Sequence, residues 1–270
     1  MLVVVCIKQV PDTTQVKVDP VTGTLVRQGV PFIMNPFDTH ALEESLRLKD
    51  KYGARVVAIS MGPPSTEVTL KQALALGIDE AVLLSDRYFG GADTLATSMV
   101  LAAGIKRLAG KEEQVIVVCG KQTIDGDTAQ VGPGIATRLG YTQLTLVDRV
   151  DHVDVDTGKV VVRRRLEGRH EIVEASLSAM ISVVREINQP RYPTVPARLM
   201  AAEATVTVWD NEVMKLDTST IGLSGSPTQV RKIFSPERTK GEILGDGVDN
   251  PDSVARLLID KLIEKDIIAV

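Results

Sequence analysis

The chain has 270 residues, of which 31 are Lys or Arg and 35 are Asp or Glu, giving a net charge of -4 at pH 7. Its hydrophobic content of 44% predicts a folded core and excludes a disordered protein, and its negative charge argues against a nucleic-acid partner. The aromatic content of 3% argues against a β-sandwich and against a surface that stacks nucleic-acid bases.

Cysteine usage and hydropathy indicate where the protein works. No segment approaches the roughly 18 continuous apolar residues of a membrane span, and the N-terminus lacks the features of a signal peptide. Cys6 and Cys119 each lie in an apolar run, which is typical of buried, reduced thiols. The three histidines have no metal-ligand spacing, so no metal site is predicted. We therefore predict a cytoplasmic protein.

The first half of the chain alternates strands and helices. Five short apolar runs predict buried strands, at residues 2–7, 55–61, 81–85, 114–119 and 142–147. Four stretches between them have apolar residues at helical spacing, with predicted first residues Asp38, Ser65, Asp93 or Thr94, and about Ala129. Each ends near a glycine, at Gly53, Gly77, Gly110 and Gly140. This alternation predicts an α/β fold with a doubly wound, mostly parallel, Rossmann-like sheet.

The pattern changes after residue 148. Residues 153–163 predict an antiparallel hairpin with its turn at Thr157-Gly158, and residues 171–184 predict one or two further strands. Three prolines in residues 188–196 predict an extended, exposed loop. Beyond residue 204 the only clear element is a helix introduced by Asn250-Pro251. We predict an α/β domain over 1–200 and a C-terminal arm over 201–270 that packs on another chain.

The loop after the fourth predicted strand, residues 120–133, is the richest in candidate ligand groups. Ligands of an open parallel sheet bind at the carboxyl ends of its strands. Gly120 permits close approach of a ligand, and Gly126 is interpreted as a left-handed turn residue. Thr128, Gln130 and the first amides of the next helix are candidate phosphate donors. Asp125 and Asp127 suit a capped turn or a ribose contact, so a plain Asx-rich turn explains this composition equally well.

Other candidate residues have simpler explanations. Residues Asp93–Thr97 are interpreted as a helix cap and first turn, and residues 35–38 are interpreted as a turn and cap. Lys8 is interpreted as a phosphate contact or a solvated lysine. The basic residues 163–165 predict a solvated face or ion pairs. There is no Gly-x-Ser-x-Gly or Cys-x-x-Cys motif and no acid/base pair with a defined partner. The residues alone therefore indicate a nucleotide-binding α/β protein without its own acid/base catalyst.

The sequence resembles the electron transfer flavoprotein β subunit over essentially its whole length. The resemblance lies in six segments: VCIKQVPD (5–12), NPF (35–37), SMGP (60–63), GKQTIDGDTAQVG (120–132), NQPRY (188–192) and GLSGSPT (222–228). It implies a heterodimer with an α subunit that carries FAD. In conventional members the β subunit binds AMP structurally. In the electron-bifurcating subgroup it binds a second FAD, which exchanges hydride with NADH and passes electrons to ferredoxin or flavodoxin and to a partner FAD-dependent dehydrogenase.

Residues 10–13, 91–97 and 125–132 make the sequence most similar to the bifurcating subgroup. The resemblance implies an FAD site, with AMP as the alternative ligand, and NAD(H) as substrate. Matching positions place the nucleotide contacts on Cys6, Asn35, Phe37, Asp38, Met61, Asp93, Thr94, Thr97, Gly120, Lys121, Gln122, Thr123, Asp125, Gly126, Asp127, Thr128, Ala129, Gln130 and Val131. The loop over 190–200 matches the segment that docks the partner dehydrogenase, through Pro190, Arg191, Tyr192 and the apolar Val195. A nucleotide-sensing module is a third possibility, but it leaves the long tail unexplained.

Overall fold

The computed structural model describes residues 1–12, 31–112, 114–231 and 241–268, so Thr13 of the 10–13 segment lies outside the described residues. The chain divides into two compact units, Met1–Arg231 and Lys232–Val270. The strands are β1 (Leu2–Cys6), β2 (Gln9–Pro11), β3 (Phe32–Met34), β4 (Arg55–Met61), β5 (Glu80–Leu84), β6 (Val115–Gly120), β7 (Thr142–Asp154), β8 (Lys159–Leu166), β9 (Arg169–Ser176), β10 (Ala179–Val183) and β11 (Thr207–Trp209). The helices are α1 (Pro36–Tyr52), α2 (Glu67–Leu76), α3 (Thr94–Ala109), α4 (Val131–Leu139), α5 (Val195–Glu203), α6 (Asn211–Met214) and α7 (Pro251–Glu264).

The main sheet of the described residues has nine strands in the order β11-β5-β4-β1-β6-β10-β7-β8-β9. Seven strands from β11 to β7 run parallel, and β8 and β9 continue the sheet antiparallel. The chain moves outward from β1 through β4 to β5 and then returns to the other side of β1 with β6. The predicted doubly wound, mostly parallel sheet with antiparallel additions is therefore confirmed.

Two apolar layers cover the sheet because its strands are buried on both faces. Val3 and Val5 of β1 pack in one cluster with Leu42 and Leu46 of α1. Leu2 and Val4 point to the opposite face and pack with a second cluster that includes residues of α3 and α4. All five residues of β1 are buried, which explains why that strand is a continuous apolar run rather than an alternating one.

Most helix boundaries agree with the sequence, but two predicted N-caps are wrong. Helix α1 begins at Pro36 with Asn35 as its N-cap, so Asp38 lies inside the first turn. Helix α2 has Thr66 as its N-cap, since residues 64–66, including Ser65, form a 3-10 turn. Asp93 caps α3 as predicted, with its side chain accepting from the amides of Leu95 and Ala96.

The fifth predicted strand and the predicted hairpin are one continuous feature. Strand β7 runs for 13 residues, pairing with β10 in its first half and with β8 in its second. The hairpin turn falls between Asp154 and Lys159, as predicted. Leu146 adopts a φ of 59° where β7 passes from one partner to the other, and the register shifts there. A bulge of this kind redirects a strand without ending it.

The proline-rich segment is only partly a loop. Residues 188–194 have no helix or strand, as predicted, but α5 begins at Val195, so the prediction of a loop through 200 is wrong. Thr194 caps this helix by accepting from the amide of Ala197. Pro196 falls in the first turn, where its missing amide hydrogen costs no helical hydrogen bond.

The segment after α5 adds to the sheet. Strand β11 pairs in parallel with β5, and Ile221 is buried in the apolar cluster under α3. The predicted domain boundary at residue 200 therefore falls inside the first compact unit. In the second unit, Asn250 caps α7 as predicted by accepting from the amide of Ser253, and Pro251 opens the helix. Among the described residues, no helix combines the length and the hydropathy needed to cross a membrane.

Candidate functional site

The candidate site lies at the carboxyl ends of β1 and β6, where the strand order reverses. A crevice forms at such a switch point because the loops after the two strands turn to opposite faces of the sheet. Cys6 and Cys119 are register partners at this position, and both are free and buried. Their mutual hydrogen bond and burial raise the pKa of the Cys6 thiol well above its usual range, so it stays protonated at neutral pH. The two thiols are packing groups at the floor of the crevice.

Asp38 joins the ends of the two central strands. Its Oδ2 accepts from the amide of Lys8 at 2.8 Å, and its carboxyl group also accepts from the amide of Gly120. Burial raises the pKa of Asp38 to about 7, although hydrogen bonds from Asn35, Lys8 and Gly120 act to lower it. Asp38 is only 5% exposed, so the structure gives this predicted ligand residue a role in packing α1 onto the sheet.

Asn35 holds the loop that follows β6. Its Nδ2 donates to the carbonyl oxygen of Gln122 at 2.9 Å, and its Oδ1 accepts from the amide of Ile124 at 3.2 Å. Its own backbone amide donates to the carbonyl of Lys8. Asn35 is fully buried, which makes these bonds costly to lose. It therefore fixes the conformation of the candidate binding loop from beneath.

One glycine interpretation made from the sequence is wrong, and the other stays a prediction. A Cβ at Gly120 would overlap Asp38 Oδ1 and lie 2.7 Å from Phe37 Cβ, so the Cβ side of this residue is filled by α1. Gly126 does not have a left-handed backbone. The left-handed residues of this loop are Asp127, with a φ of 51°, and Ala129, with a φ of 55°. Left-handed conformations of non-glycine residues are strained and concentrate at functional sites.

The N-termini of α3 and α4 differ in what they offer a ligand. The carboxylate of Asp93 already occupies the first turn of α3. No side chain of the described residues caps α4, so the amides of Val131 and Gly132 have no side-chain acceptor. An uncapped helix N-terminus binds anions through its free amides and dipole. Of these two helices, α4 therefore presents the better phosphate site.

The loops after β5 and β6 meet above this helix end. Thr94 Oγ1 donates to Gln130 Oε1 at 2.7 Å, so two predicted ligand residues far apart in sequence are in contact. Thr97 lies in the first turn of α3, half-buried, with its amide bonded to the carbonyl of Asp93. Gln122 Nε2 donates to Asp127 Oδ1 at 2.7 Å, and the amide of Asp127 donates to the carbonyl of Thr123. The polar residues of the site thus form two hydrogen-bonded groups, one around Thr94 and Gln130 and one around Gln122 and Asp127.

Lys8 and Asp125 form an ion pair across the crevice. Lys8 Nζ lies 2.9 and 2.7 Å from the two carboxylate oxygens of Asp125. Partial burial acts to raise the pKa of Asp125, but the hydrogen bond and charge of Lys8 prevail and lower it. The interpretation of Lys8 as a solvated lysine therefore needs revision, because a carboxylate binds its ammonium group. The phosphate contact stays a prediction, and it requires Lys8 to leave Asp125.

A groove of about 1000 Å³ adjoins the loop on the side of β7 and β8. Lys121, Gln122 and Asp127 line it together with Phe37, whose ring lies 4.5 Å from the guanidinium of Arg185. The sequence did not identify its other lining residues, which include Leu146, Arg165, Leu166, Arg169, His170 and Glu186. The basic run 163–165 was the available signal, and Arg165 of that run pairs with Glu186.

The remaining predicted contacts take less central positions. Met61 ends β4 and packs against the apolar cluster that contains Cys6. Thr128 is exposed on the loop, and the amide of Lys121 still pairs with the carbonyl of Val183. Ser226 and Thr228 were not predicted from the sequence as residues of the site. Ser226 Oγ accepts from the amide of Asp93, and Thr228 Oγ1 donates to Asp93 Oδ2 at 2.8 Å. The described residues contain no His, Cys, Asp and Glu cluster that could hold a metal ion.

The predicted partner-binding residues differ in exposure. Tyr192 and Val195 are 93% and 71% exposed, and Leu199 and Met200 extend this apolar surface along α5. Pro190 is half-buried. Arg191 pairs with Glu43 at 2.9 Å and Asp50 at 2.8 Å, so its guanidinium anchors the segment to α1.

Comparison with known proteins assigns the family. The sequence profile described as electron transfer flavoprotein domain matches residues 22–214. The electron transfer flavoprotein subunit beta of Clostridium acetobutylicum is 50% identical over 266 residues, which cover 98% of this chain and 99% of that protein. The chain belongs to the electron transfer flavoprotein β-subunit family. The resemblance recognised in its sequence motifs is thereby confirmed.

Two further relatives of this β-subunit family member match it over nearly their whole length. The caffeyl-CoA reductase-Etf complex subunit CarD of Acetobacterium woodii is 45% identical over 99% of this chain and 100% of that protein. Protein FixA of Azotobacter vinelandii is 48% identical over 96% of this chain and 93% of that protein. This full-length similarity supports the same fold throughout, with electron transfer as the family's function.

Proposed function

We propose that the chain is the β subunit of an electron-bifurcating flavoprotein and binds FAD at the switch point between β1 and β6. When bound, FAD would supply the redox chemistry: hydride exchange with NADH and electron delivery to ferredoxin or flavodoxin and, through an α-subunit FAD, to a dehydrogenase of the acyl-CoA or 2-hydroxy-acid type. The residues of the chain would bind and orient this cofactor, and the flavin itself would carry the reaction.

The groove of about 1000 Å³ beside the binding loop is the observation that carries the proposal. Its volume is at the upper end of the range for ligand pockets, and it shares Lys121, Gln122 and Asp127 with the loop. A mononucleotide bound at α4 would leave this space unused. A flavin dinucleotide needs additional room for its ring system, and the groove supplies it.

The donor set fits the polar part of the same ligand. The amides of Val131 and Gly132 suit a phosphate, because no side chain of the described residues competes for them. Thr94 and Gln130 provide a hydroxyl and an amide for the hydroxyls of a ribityl chain. Asn35 holds the loop in the required conformation without contacting the ligand.

Exposed apolar surfaces support the proposed partners. Tyr192, Val195 and Met200 form one such surface, which we assign to the partner dehydrogenase. In the second unit, Leu257, Leu258 and Ile259 of α7 are between 41% and 48% exposed, and we assign this helix to the α subunit of a heterodimer. Exposed apolar surfaces of this kind commonly mark protein interfaces. The name of the Acetobacterium woodii relative, which refers to a reductase-Etf complex, supports both assignments.

The alternative is a conventional carrier subunit that binds AMP structurally. The uncapped N-terminus of α4 supports this possibility as well, because a single phosphate is enough to occupy its free amides. Counting cofactors separates the two functions. Two FAD per purified αβ dimer, with reduction by NADH, support bifurcation, whereas one FAD plus one AMP would exclude it.

A variant assigns the cofactor to this chain. Thr94→Val combined with Thr97→Val removes the two hydroxyls at the start of α3, and we expect loss of one FAD per dimer with the dimer intact. Thr142→Val is the control, because its exposed hydroxyl donates to the carbonyl of Ser176 at the first residue of β7, away from the binding loop. Unchanged flavin content in the double variant contradicts the assignment of the site.

A further inference from the structure

The Lys8–Asp125 ion pair lies between the two loops that form the candidate phosphate site. Lys8 lies two residues after the end of β1. Asp125 lies in the loop after β6, 117 positions further along the chain. The side chains are 46% and 31% exposed, so the pair lies at the entrance of the crevice and not in its interior. Exposed ion pairs contribute little to stability, and this pair can therefore open at low cost.

The backbones at both ends of the pair are held in place. The amide of Lys8 donates to Asp38, and its carbonyl accepts from Asn35. The residue before Asp125, Ile124, is bonded to the side chain of Asn35. Exchange of partners at Lys8 therefore requires only rotation of its four-carbon side chain, and no movement of the sheet or the loop.

Lys8 is the lysine of the site that a loop carboxylate holds, and Lys121 lines the adjoining groove. Asp93 is occupied by the amides of α3 and by Thr228, and Asp127 accepts from Gln122. Asp125 is the carboxylate of the loop that is paired with a lysine. Pro133 has no amide hydrogen, so the first turn of α4 offers the amides of Val131 and Gly132. Two amides suit one phosphate group, and a second phosphate needs a further donor.

We propose that Lys8 determines specificity for a diphosphate ligand by exchanging Asp125 for the second phosphate. The inference rests on the proposed nucleotide site and adds the residue that selects a dinucleotide over a mononucleotide. Lys8 moves from one anion to another, so its charge stays compensated in both states. Asp125, released from Lys8, then accepts a hydrogen bond from a sugar or ribityl hydroxyl of the same ligand.

The test is titration of the full-length chain, freed of bound nucleotide, with FAD and with AMP by calorimetry. Lys8→Met is expected to weaken FAD binding about tenfold or more and AMP binding less than about threefold. Lys8→Arg keeps the charge and is expected to restore most of the FAD affinity. Asp125→Asn is expected to leave FAD binding unchanged or tighten it severalfold, because Lys8 no longer has to leave a carboxylate.

Lys159→Met is the matched control, because Lys159 also forms an exposed ion pair, with Glu174 at 2.6 Å on the hairpin. It should bind both ligands as the wild type does. Equal weakening of FAD and AMP in Lys8→Met overturns the assignment to the second phosphate, as does an Asp125→Asn variant that binds FAD as poorly as Lys8→Met. If the wild type binds both ligands and Lys8→Met is unaffected, only this inference fails. If the wild type binds neither ligand, the proposed function fails with it.

Discussion

Asn35 Nδ2 donates to the carbonyl oxygen of Gln122 across 2.9 Å, so the residue that caps α1 also fixes the loop after β6. The same side chain accepts from the amide of Ile124. The start of one helix and the candidate binding loop are therefore a single rigid feature. Its conformation includes the two left-handed residues Asp127 and Ala129, which a free loop would not adopt.

Asn35→Ala is expected to lower the free energy of unfolding by about 1–3 kcal/mol, because it removes a buried amide and leaves the carbonyl of Gln122 without this donor. Urea denaturation measures the loss, and hydrogen exchange at the Ile124 amide reports the freed loop. Gln143→Ala is the control, since that exposed amide bonds only to Thr137 among the described residues. Unchanged protection of the Ile124 amide contradicts this role for Asn35.

Gly120 and Gly126 lie in the same loop but should respond differently to alanine. A Cβ at Gly120 would overlap Asp38 and Phe37, so Gly120→Ala should cost about 1–3 kcal/mol of stability. A Cβ at Gly126 meets only Thr123 Oγ1 at 3.5 Å, an ordinary contact, so Gly126→Ala should be tolerated. Thermal unfolding of the two variants provides the comparison. Equal effects contradict the packing of α1 against residue 120.

Asp38 should make stability depend on pH near neutrality. Its pKa of about 7 in the folded protein lies above its ordinary value of 3.8, so the folded state binds the proton more tightly than the unfolded state. This contribution is complete below pH 4 and is lost as pH rises from there through about 7, with a total of about 4 kcal/mol. The sign is opposite to that of a carboxylate stabilised by an ion pair.

The measurement compares wild type with Asp38→Asn by urea denaturation between pH 5 and 8. Other titrating groups cancel in the difference, and Asn cannot ionise. The stability of the wild type relative to the variant should fall by about 1.4 kcal/mol per pH unit below pH 7 and level off above it. A difference that stays constant over this range would show that Asp38 does not titrate there.

Arg191 should act as a structural anchor of the segment before α5. It pairs with Glu43, whose side chain is 6% exposed, and with Asp50. Arg191→Met leaves Glu43 buried without this partner, so we expect a loss of about 2–3 kcal/mol and faster proteolysis within residues 189–194. Arg198→Met, on the exposed surface of α5, is the control and should change neither quantity by much. Proteolysis at the wild-type rate contradicts the anchoring role.

The sequence determined the order and type of the main elements, because hydrophobic periodicity and capping act over a few neighbouring residues. The apolar runs at 2–7 and 55–61, the stop at Gly53 and the cap at Asp93 are all found close to where they were predicted. The sequence also predicted that the candidate residues lie together, since the carboxyl ends of parallel strands meet at one edge of a sheet.

Only the tertiary structure decided how the polar residues of that edge are used. Asp38 and Gly120 read as ligand residues in the sequence, yet they hold α1 against the ends of β1 and β6. From the sequence, Lys8 was interpreted as a phosphate contact or a solvated lysine. In the structure it is paired with Asp125, 117 positions away. Such contacts leave no local pattern, because they form between residues that folding brings together from distant parts of the chain. The sequence therefore indicated these residues as candidates, and only the fold determined their bonding partners.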